Sequence, residues 1–374
     1  MEERQYQQDA IAFLAKSKRG IVEAPAGAGK THIAASALAV CLSKRQQVAD
    51  VEIMVNTVEQ VDQMQTACDR FAVIAKKSRL EIYCAAGAPQ GTNPNLLIVD
   101  ECHRAGADGW RTKIEQCKSA RWGLSATPFS GDKERDSVVR DLFGNNIHKI
   151  GRQQLVDEGH LAKAVVLWHK IECEQITAAI HLLTTDLLTA RRKKMPWMFS
   201  TPDAAEQQFN QCKWQAAQKL GIWENQLRDA QVAGLAQQSV KAGSHTIVLI
   251  GSVDHGRRLL KAIPGAMLVD SKMSAKQRAK TIALFRAGDL RCMIGTSAIE
   301  EGFDAPIANC IIMAACGRSK RKTIQSTGRV LRPHDGKNSG IIHDFDDHTH
   351  PMLLRQSKAR AAIYRQLNYA QKLY

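Results

Sequence analysis

GIVEAPAGAGKTHIAAS, Gly20 to Ser36, is the stretch whose reading decides the fold. Gly20-Ile21-Val22-Glu23 reads as a short buried strand, and Lys30-Thr31-His32-Ile33-Ala34-Ala35 opens a helix rich in alanine and leucine. A glycine-rich loop between a strand and a helix is the setting of a phosphate-binding loop, spelled G-x-x-x-x-G-K-[ST]. Here Ala24 stands where the first glycine belongs. That is tolerable if its backbone angles are open to a residue with a Cβ. Backbone N–H groups along Ala26, Gly27, Ala28 and Gly29, with the helix N-terminus, are placed to cradle phosphate. Lys30 would reach the β- and γ-phosphates, and the Thr31 hydroxyl would sit on Mg²⁺.

LLIVDECHRAG, Leu96 to Gly106, is a continuous apolar run ending in two carboxylates. Such a run reads as a buried parallel strand, and ligands bind beyond the carboxyl ends of these strands. Asp100 is thus expected to hold Mg²⁺, and Glu101 to orient and deprotonate an attacking water. The alternative is a solvated turn. Two further strand ends carry hydroxyls: GLSATPFS, with Ser125 and Thr127, and IMVNTVEQVDQM, with Thr57 at a strand–helix junction.

The 374 residues are long for one core and suit two domains. Apolar residues at 44% and charged residues at 24% exclude a disordered chain. No apolar run approaches the ~20 residues of a bilayer span, and no signal peptide is read at the N-terminus. A cytoplasmic, reducing location is expected, with the ten cysteines as scattered thiols lacking C-x-x-C spacing. The net charge of +15 favours polyanionic partners, nucleic acid before membrane.

Beyond Gly151 the pattern changes. Residues 175–241 read as helical, with a basic block at Arg191, Arg192, Lys193 and Lys194 before Trp197. Cations on phosphate and an indole on a base would make this a nucleic-acid contact; a solvated helix end is the plainer reading. Strands then alternate with helices, which implies βαβ units and a second parallel sheet. In TIQSTGRVLRP, Arg329 and Arg332 stand three apart and are expected to share a helix face. Two guanidinium groups there suit a triphosphate and would act as arginine fingers. His343-Asp344-Phe345-Asp346-Asp347-His348-Thr349-His350 has the residue types of a metal cluster. Its first residues continue a strand, so it is read as plain structure.

At this point the residues resemble those of a known family. Asp100-Glu101-Cys102-His103 resembles motif II of the superfamily 2 helicases in its DECH form, and Ser125-Ala126-Thr127 resembles motif III. Arg4-Gln5-Tyr6-Gln7 is similar to the adenine-reading Q motif. APAGAGKT resembles motif I, in which the first position is often alanine. IVLIGSVDHG, containing Ser252, resembles motif IV; GTSAIEEGFDAP resembles motif V; Q-x-x-G-R-x-x-R from Gln325 matches motif VI. GFDAP, LSATPF and GIIHDFDD look most like the DNA-directed branch, with the restriction-enzyme helicase subunits and the RadD and UvsW types.

The resemblance implies an α/β fold of two tandem recA-like domains, residues 1–150 and 151–350. A helical insertion precedes the motif IV strand, and a basic helix closes the chain at 351–374. It implies ATP and Mg²⁺ as cofactors, with Gln7 reading adenine, Arg4 or Tyr6 packing on it, and Gly302 and Asp304 sensing nucleotide. His103, Ser125, Thr127 and Gln325 would couple hydrolysis to strand contacts, and Thr57, Ser252 and Thr296 would hold the nucleic-acid backbone. The expected function is an ATP-dependent helicase or translocase on DNA. The alternatives are an RNA helicase, or a motor that moves on duplex without unwinding and serves a protein partner such as a nuclease.

Overall fold

A computed structural model describes residues 3–270, 272–296, 305–315, 317, 319–332, 334, 337 and 339–374, without the side chains at 108, 275 and 321. Gly302 and Asp304 lie outside the described residues. The chain divides into two compact units, Met1–Leu161 and Ala162–Tyr374.

The first unit is built on β1 (Arg19–Glu23), β2 (Ala49–Val55), β3 (Ser78–Cys84), β4 (Leu96–Asp100), β5 (Ala120–Ser125) and β6 (Ile147–Lys149). They form one sheet in the order β3-β2-β4-β5-β1-β6, and all pairings are parallel. Successive side chains on a strand point to opposite faces, so each apolar run feeds two cores. Val22, Ile53 and Ile98 join Ile33, Leu38 and Trp122 on one side. Ile21, Met54, Leu97 and Val99 meet Leu142 and Phe143 on the other.

The second unit holds β7 (Lys163–Ile171), β8 (Thr246–Leu249), β9 (Ala266–Val269), β10 (Cys292–Gly295), β11 (Cys310–Ile312), β12 (Ser339–Asp347) and β13 (Ala370–Leu373), in the order β13-β7-β12-β11-β8-β10-β9. This sheet is parallel too. Ile247, Leu249 and Ile311 pack on one face, and Val248, Ile250, Cys292 and Ile312 on the other.

The helical insertion between β7 and β8 has two parts. The helix Gln226–Lys241 lays Val232, Ala233, Leu235 and Ala236 on the sheet and belongs to the second unit's core. The helices Glu174–Lys194 and Pro202–Gln218 pair with each other, and Ile180, Ala216, Ala217, Ile222 and Leu353 form a small core beside them. The closing helix Pro351–Gln366 is followed by a strand, which the sequence reading did not foresee. The helix ends on Asn368 at φ 55°, with Tyr369 N–H on Tyr364 O and Asn368 N–H on Arg365 O. This left-handed stop turns the chain back to pair β13 beside β7.

The acidic run is consumed by buried pairs in this unit. Asp344 takes both the Arg360 guanidinium and the Tyr364 hydroxyl at 2.8 Å, and Asp347 accepts Arg228 Nη1 at 2.6 Å. His343 sits in β12 with Nδ1 2.9 Å from His169 Nε2. No helix among the described residues is long and apolar enough to cross a membrane.

Candidate active site

Parallel pairing brings the carboxyl ends of β1, β4 and β5 to one edge of the first sheet. Ala24 N–H donates to Ser125 O at 3.0 Å, and Asp100 lies in register with Leu124. The loop leaving β1 explains the alanine. Ala24 is fully buried and is not among the positive-φ residues, so a Cβ fits there. Gly27 and Gly29 have φ of 88° and 80°, angles that glycine alone reaches without strain. A Cβ on Gly29 would also fall 2.8 Å from Gln7 Nε2. Gly29 caps the helix Lys30–Ser43, so Lys30 and Thr31 are its first two residues. The Lys30 amine arches back over the loop and donates to Ala24 O at 3.3 Å.

Asp100 is buried at the end of β4 and accepts Glu101 N–H on Oδ1 at 3.0 Å. Burial and the neighbouring Glu101 charge push its carboxyl up, against Lys30. Glu101 stands in the left-handed region, φ 54° and ψ 46°. That costs a non-glycine residue about 1–3 kcal/mol, and such strain clusters at functional sites. The turn Cys102–Gly106 holds it there, with Arg104 N–H on Glu101 O at 2.9 Å. Although burial acts to raise the Glu101 carboxyl, the hydrogen bond from His103 and the nearby Lys30, His103 and Arg104 hold it below the usual range. The pair thus separates: one carboxyl is raised beside the phosphate loop and the other is firmly ionised.

A buried network joins this turn to β5. His103 Nδ1 lies 3.0 Å from Ser125 Oγ and 3.2 Å from Glu101 Oε2. Ser125 Oγ donates to Glu101 Oε2 at 3.4 Å and accepts Thr127 N–H at 3.1 Å. The structure therefore brings Lys30, Asp100, Glu101, His103, Ser125 and Thr127 into one neighbourhood. Thr31 and Asp100 offer a hydroxyl and a carboxylate, the hard oxygen donors that suit Mg²⁺ when phosphate and water complete its shell.

The N-terminal helix Gln5–Lys16 is tied to the same loop. Gln7 Nε2 donates to Ala28 O at 3.4 Å and Gln7 Oε1 accepts Arg4 N–H at 3.1 Å. Tyr6 Oη donates to Ala28 O at 3.3 Å and accepts Arg4 Nη1 at 3.3 Å. Ala28 O is thus a shared acceptor, and Tyr6, part of the adenine-reading motif, also supports the loop.

In the second unit Arg329 ends the helix Lys320–Arg329, and Arg332 lies in the turn beyond it. The two do not share a helix face. Pro333 disfavours the helical conformation for the residue before it, and the chain instead carries Leu331 O to Ala162 N–H at 3.1 Å. Gln325 is half-buried on that helix and Arg329 is buried. Lys337 escaped the sequence reading, since a lone lysine in a polar stretch gives no signal. Its amine donates to Pro306 O and Ala308 O, at 2.8 and 2.6 Å; burial, aided by Arg332, lowers its pKa to about 8.

Thr57 and Ser252 occupy equivalent places in the two units. Each follows a strand and caps the next helix, accepting Gln60 N–H at 3.4 Å and His255 N–H at 3.2 Å. Thr296 is half-buried just beyond β10. At the far end of the helix Glu174–Lys194, Arg191 reaches Gln208, Gln211 and Gln215 and clasps the helix pair. Arg192 lies over the Phe199 ring at 5.3 Å, and Trp197 is 68% exposed.

Residues 1–90 and 86–130 match the family model "Type III restriction enzyme, res subunit", and 230–334 match "Helicase conserved C-terminal domain". The chain is 25% identical over 369 residues to a DNA 3'-5' translocase XPB2 of Sulfurisphaera tokodaii, covering 90% of this chain and 80% of that protein. It is 22% identical to a DNA 3'-5' helicase XPB of Kineococcus radiotolerans, covering 91% of this chain but 59% of that longer protein. Among solved structures it resembles S. cerevisiae Dbp5 bound to RNA and ADP BeF3 (TM-score 0.60, 12% identity, 100% of this chain and 90% of that one). It also resembles the type ISP restriction-modification enzyme LlaBIII bound to DNA (TM-score 0.66, 13% identity, 100% and 31%).

Proposed function

From the premise that the chain has the domain architecture of a superfamily 2 helicase related to the restriction-subunit DNA helicases, an ATP-dependent motor architecture acting on nucleic acid, we propose that its track is DNA. The observation that carries this reading is the match of residues 1–130 to the restriction-subunit model. The DNA activities of the two relatives and the net charge of +15 support it.

In this proposal ATP binds on the first unit, its phosphates on the Ala26–Thr31 loop and Lys30, its adenine beside Gln7 and Arg4. Thr31 and Asp100 would hold Mg²⁺, which when bound offsets charge on the β- and γ-oxygens. Glu101, ionised and aimed by His103 and Ser125, orients the attacking water and takes its proton. Arg329 and Arg332 stabilise the transferring phosphoryl, with Gln325 one helical turn before Arg329. Ser125 and Thr127 pass the change at Glu101 to the strand contacts. Thr57, Ser252 and Thr296 hold phosphates, contacts without base identity, so binding is largely sequence-independent and falls with salt.

The test is ATP turnover at fixed salt with no nucleic acid, then with single-stranded DNA, forked DNA, duplex DNA and single-stranded RNA. DNA stimulates and RNA does not if the proposal holds. Equal or stronger stimulation by RNA would overturn the DNA track, and turnover indifferent to every strand would overturn the motor.

A further inference from the structure

The second unit contains a cavity of about 890 Å³ between the inserted helix pair, the loop after β8 and the closing helix. It is walled by Trp214 and Trp223 from the insertion, Gly251 and Thr296 at the carboxyl ends of β8 and β10, and Lys322 and Arg355 at the mouth. Its size falls within the roughly 300–1,000 Å³ of small-molecule sites. No carboxylate lines it among the described residues, while Lys322 and Arg355 are both exposed cations.

One indole, Trp223, is held in place before any ligand arrives. Trp223 lies so close over Gly251 that a Cβ there would collide with its ring nitrogen. Its carbonyl accepts Arg258, whose Nε is fixed at 2.7 Å by Asp229. Asp229 is in turn 3.1 Å from His255 Nε2. Trp214 packs at the border of the small core of the insertion and stays half-exposed toward the cavity. A fixed indole and a half-exposed one beside cations, with no carboxylate among the described lining residues, match a ligand that carries both π-faces and phosphates.

We propose that this cavity receives a nucleobase of a single strand, stacked on Trp214, while Lys322 and Arg355 take the adjoining phosphates. The proposal rests on the reading of the protein as a nucleic-acid motor and deepens it: beyond the backbone contacts at Ser252 and Thr296, one base is drawn out of the track into the second unit. Base–aromatic stacking tolerates every base, so the site adds grip without sequence preference.

The experiment measures binding of the full chain, by fluorescence anisotropy, to a labelled thymidine homopolymer and to the same strand carrying a run of abasic sites. Loss of one stack, about 1 kcal/mol or more, corresponds to roughly five-fold or more in affinity. The wild type should show that penalty for the abasic run. Trp214→Ala should show it on the intact strand and be indifferent to the abasic run, and Trp214→Phe should recover most of the difference. Arg355→Ala, an exposed change, should weaken both strands alike and reduce the salt slope by about 0.7. Wild-type affinity in Trp214→Ala, or an undiminished abasic penalty in it, would overturn the base site and leave the motor standing. An Arg355→Ala variant with an unchanged salt slope would remove the phosphate arm. A wild-type chain that binds neither strand would overturn the motor reading together with the site.

Discussion

Ser125→Ala isolates the link between Glu101, the carboxylate proposed to orient water, and the strand that follows it. Ser125 is fully buried, and its Oγ serves three partners: His103 Nδ1, Glu101 Oε2 and Thr127 N–H. Removing it leaves Thr127 N–H without its acceptor, while His103 keeps only Glu101. A buried polar group left unpaired costs about 1–3 kcal/mol, so a loss near 2 kcal/mol is expected for the first unit. For a unit of this size that lowers Tm by roughly 4–8 °C. Turnover should fall further than stability explains. Glu101 is then aimed by His103 alone, and one orienting hydrogen bond worth about 1.4 kcal/mol corresponds to a ten-fold drop in kcat. KM for ATP should hold, because Lys30 and the phosphate loop are untouched. Steady-state ATP turnover with and without single-stranded DNA, beside a thermal melt, reads all three quantities. Ser125→Thr keeps the hydroxyl and should restore most of kcat at some cost in packing. Wild-type kcat in Ser125→Ala, or a rise in KM at constant kcat, would refute the assignment of Ser125 as the residue that positions Glu101.

Four further outcomes follow from the same geometry. Lys30→Ala and Glu101→Gln should each abolish ATP hydrolysis, and wild-type turnover in either would dismantle the site. Arg332→Ala should cut kcat far more than ATP affinity, as a group engaged only in the transition state does; equal losses would make it a binding residue. Trp197→Ala combined with Arg192→Ala, at the far end of the insertion, should reduce unwinding of forked DNA several-fold while DNA-stimulated turnover persists, and an unwinding rate equal to wild type would remove that end as the strand separator. Burial, with the neighbouring His169, lowers the His343 pKa from 6.5 to about 4, so its neutral form stabilises the second unit fully above pH 6.5 and that stability drains away as pH falls toward 4. The contribution is about 3 kcal/mol. Denaturant melts at pH 7 and pH 4.5 should differ, and His343→Asn should reduce that difference by its share; an unchanged difference in the variant would place the titration elsewhere.

The parts legible in the sequence are those set by local chemistry. A phosphate loop needs two glycines with positive φ, and Gly27 and Gly29 announce it; Ala24 was the ambiguous letter, and its ordinary backbone angles show that the first position of the pattern needs only a small buried side chain. Asp100 and Glu101 could be found because a buried parallel strand is a continuous apolar run, which makes a charged end conspicuous. What could not be read depends on partners distant along the chain or on a conformation that spacing does not determine. The acidic run at 343–350 finds Arg228 and Arg360 from two different helices, and nothing near it in sequence points to either. Arg191 reads by composition as a phosphate ligand or, more plainly, as a solvated helix end; neither reading anticipates the three glutamines of the facing helix that hydrogen-bond it and make it a clasp.

The most instructive difference concerns the two arginines. Their spacing of three suggested one helix face, but the helix stops at the first of them. Arg329 is fixed by helix geometry and burial, whereas Arg332 sits on the turn beyond the helix end, with its N–H on Arg329 O at 3.4 Å. Two guanidinium groups on one rigid face would approach a triphosphate together. If the two act on ATP as proposed, a buried one followed by one on a turn would engage it in sequence, the first at binding and the second as charge develops. That ordering is the physical reason to expect kcat and ATP affinity to part company at Arg332, and to expect Arg329→Ala to reduce both.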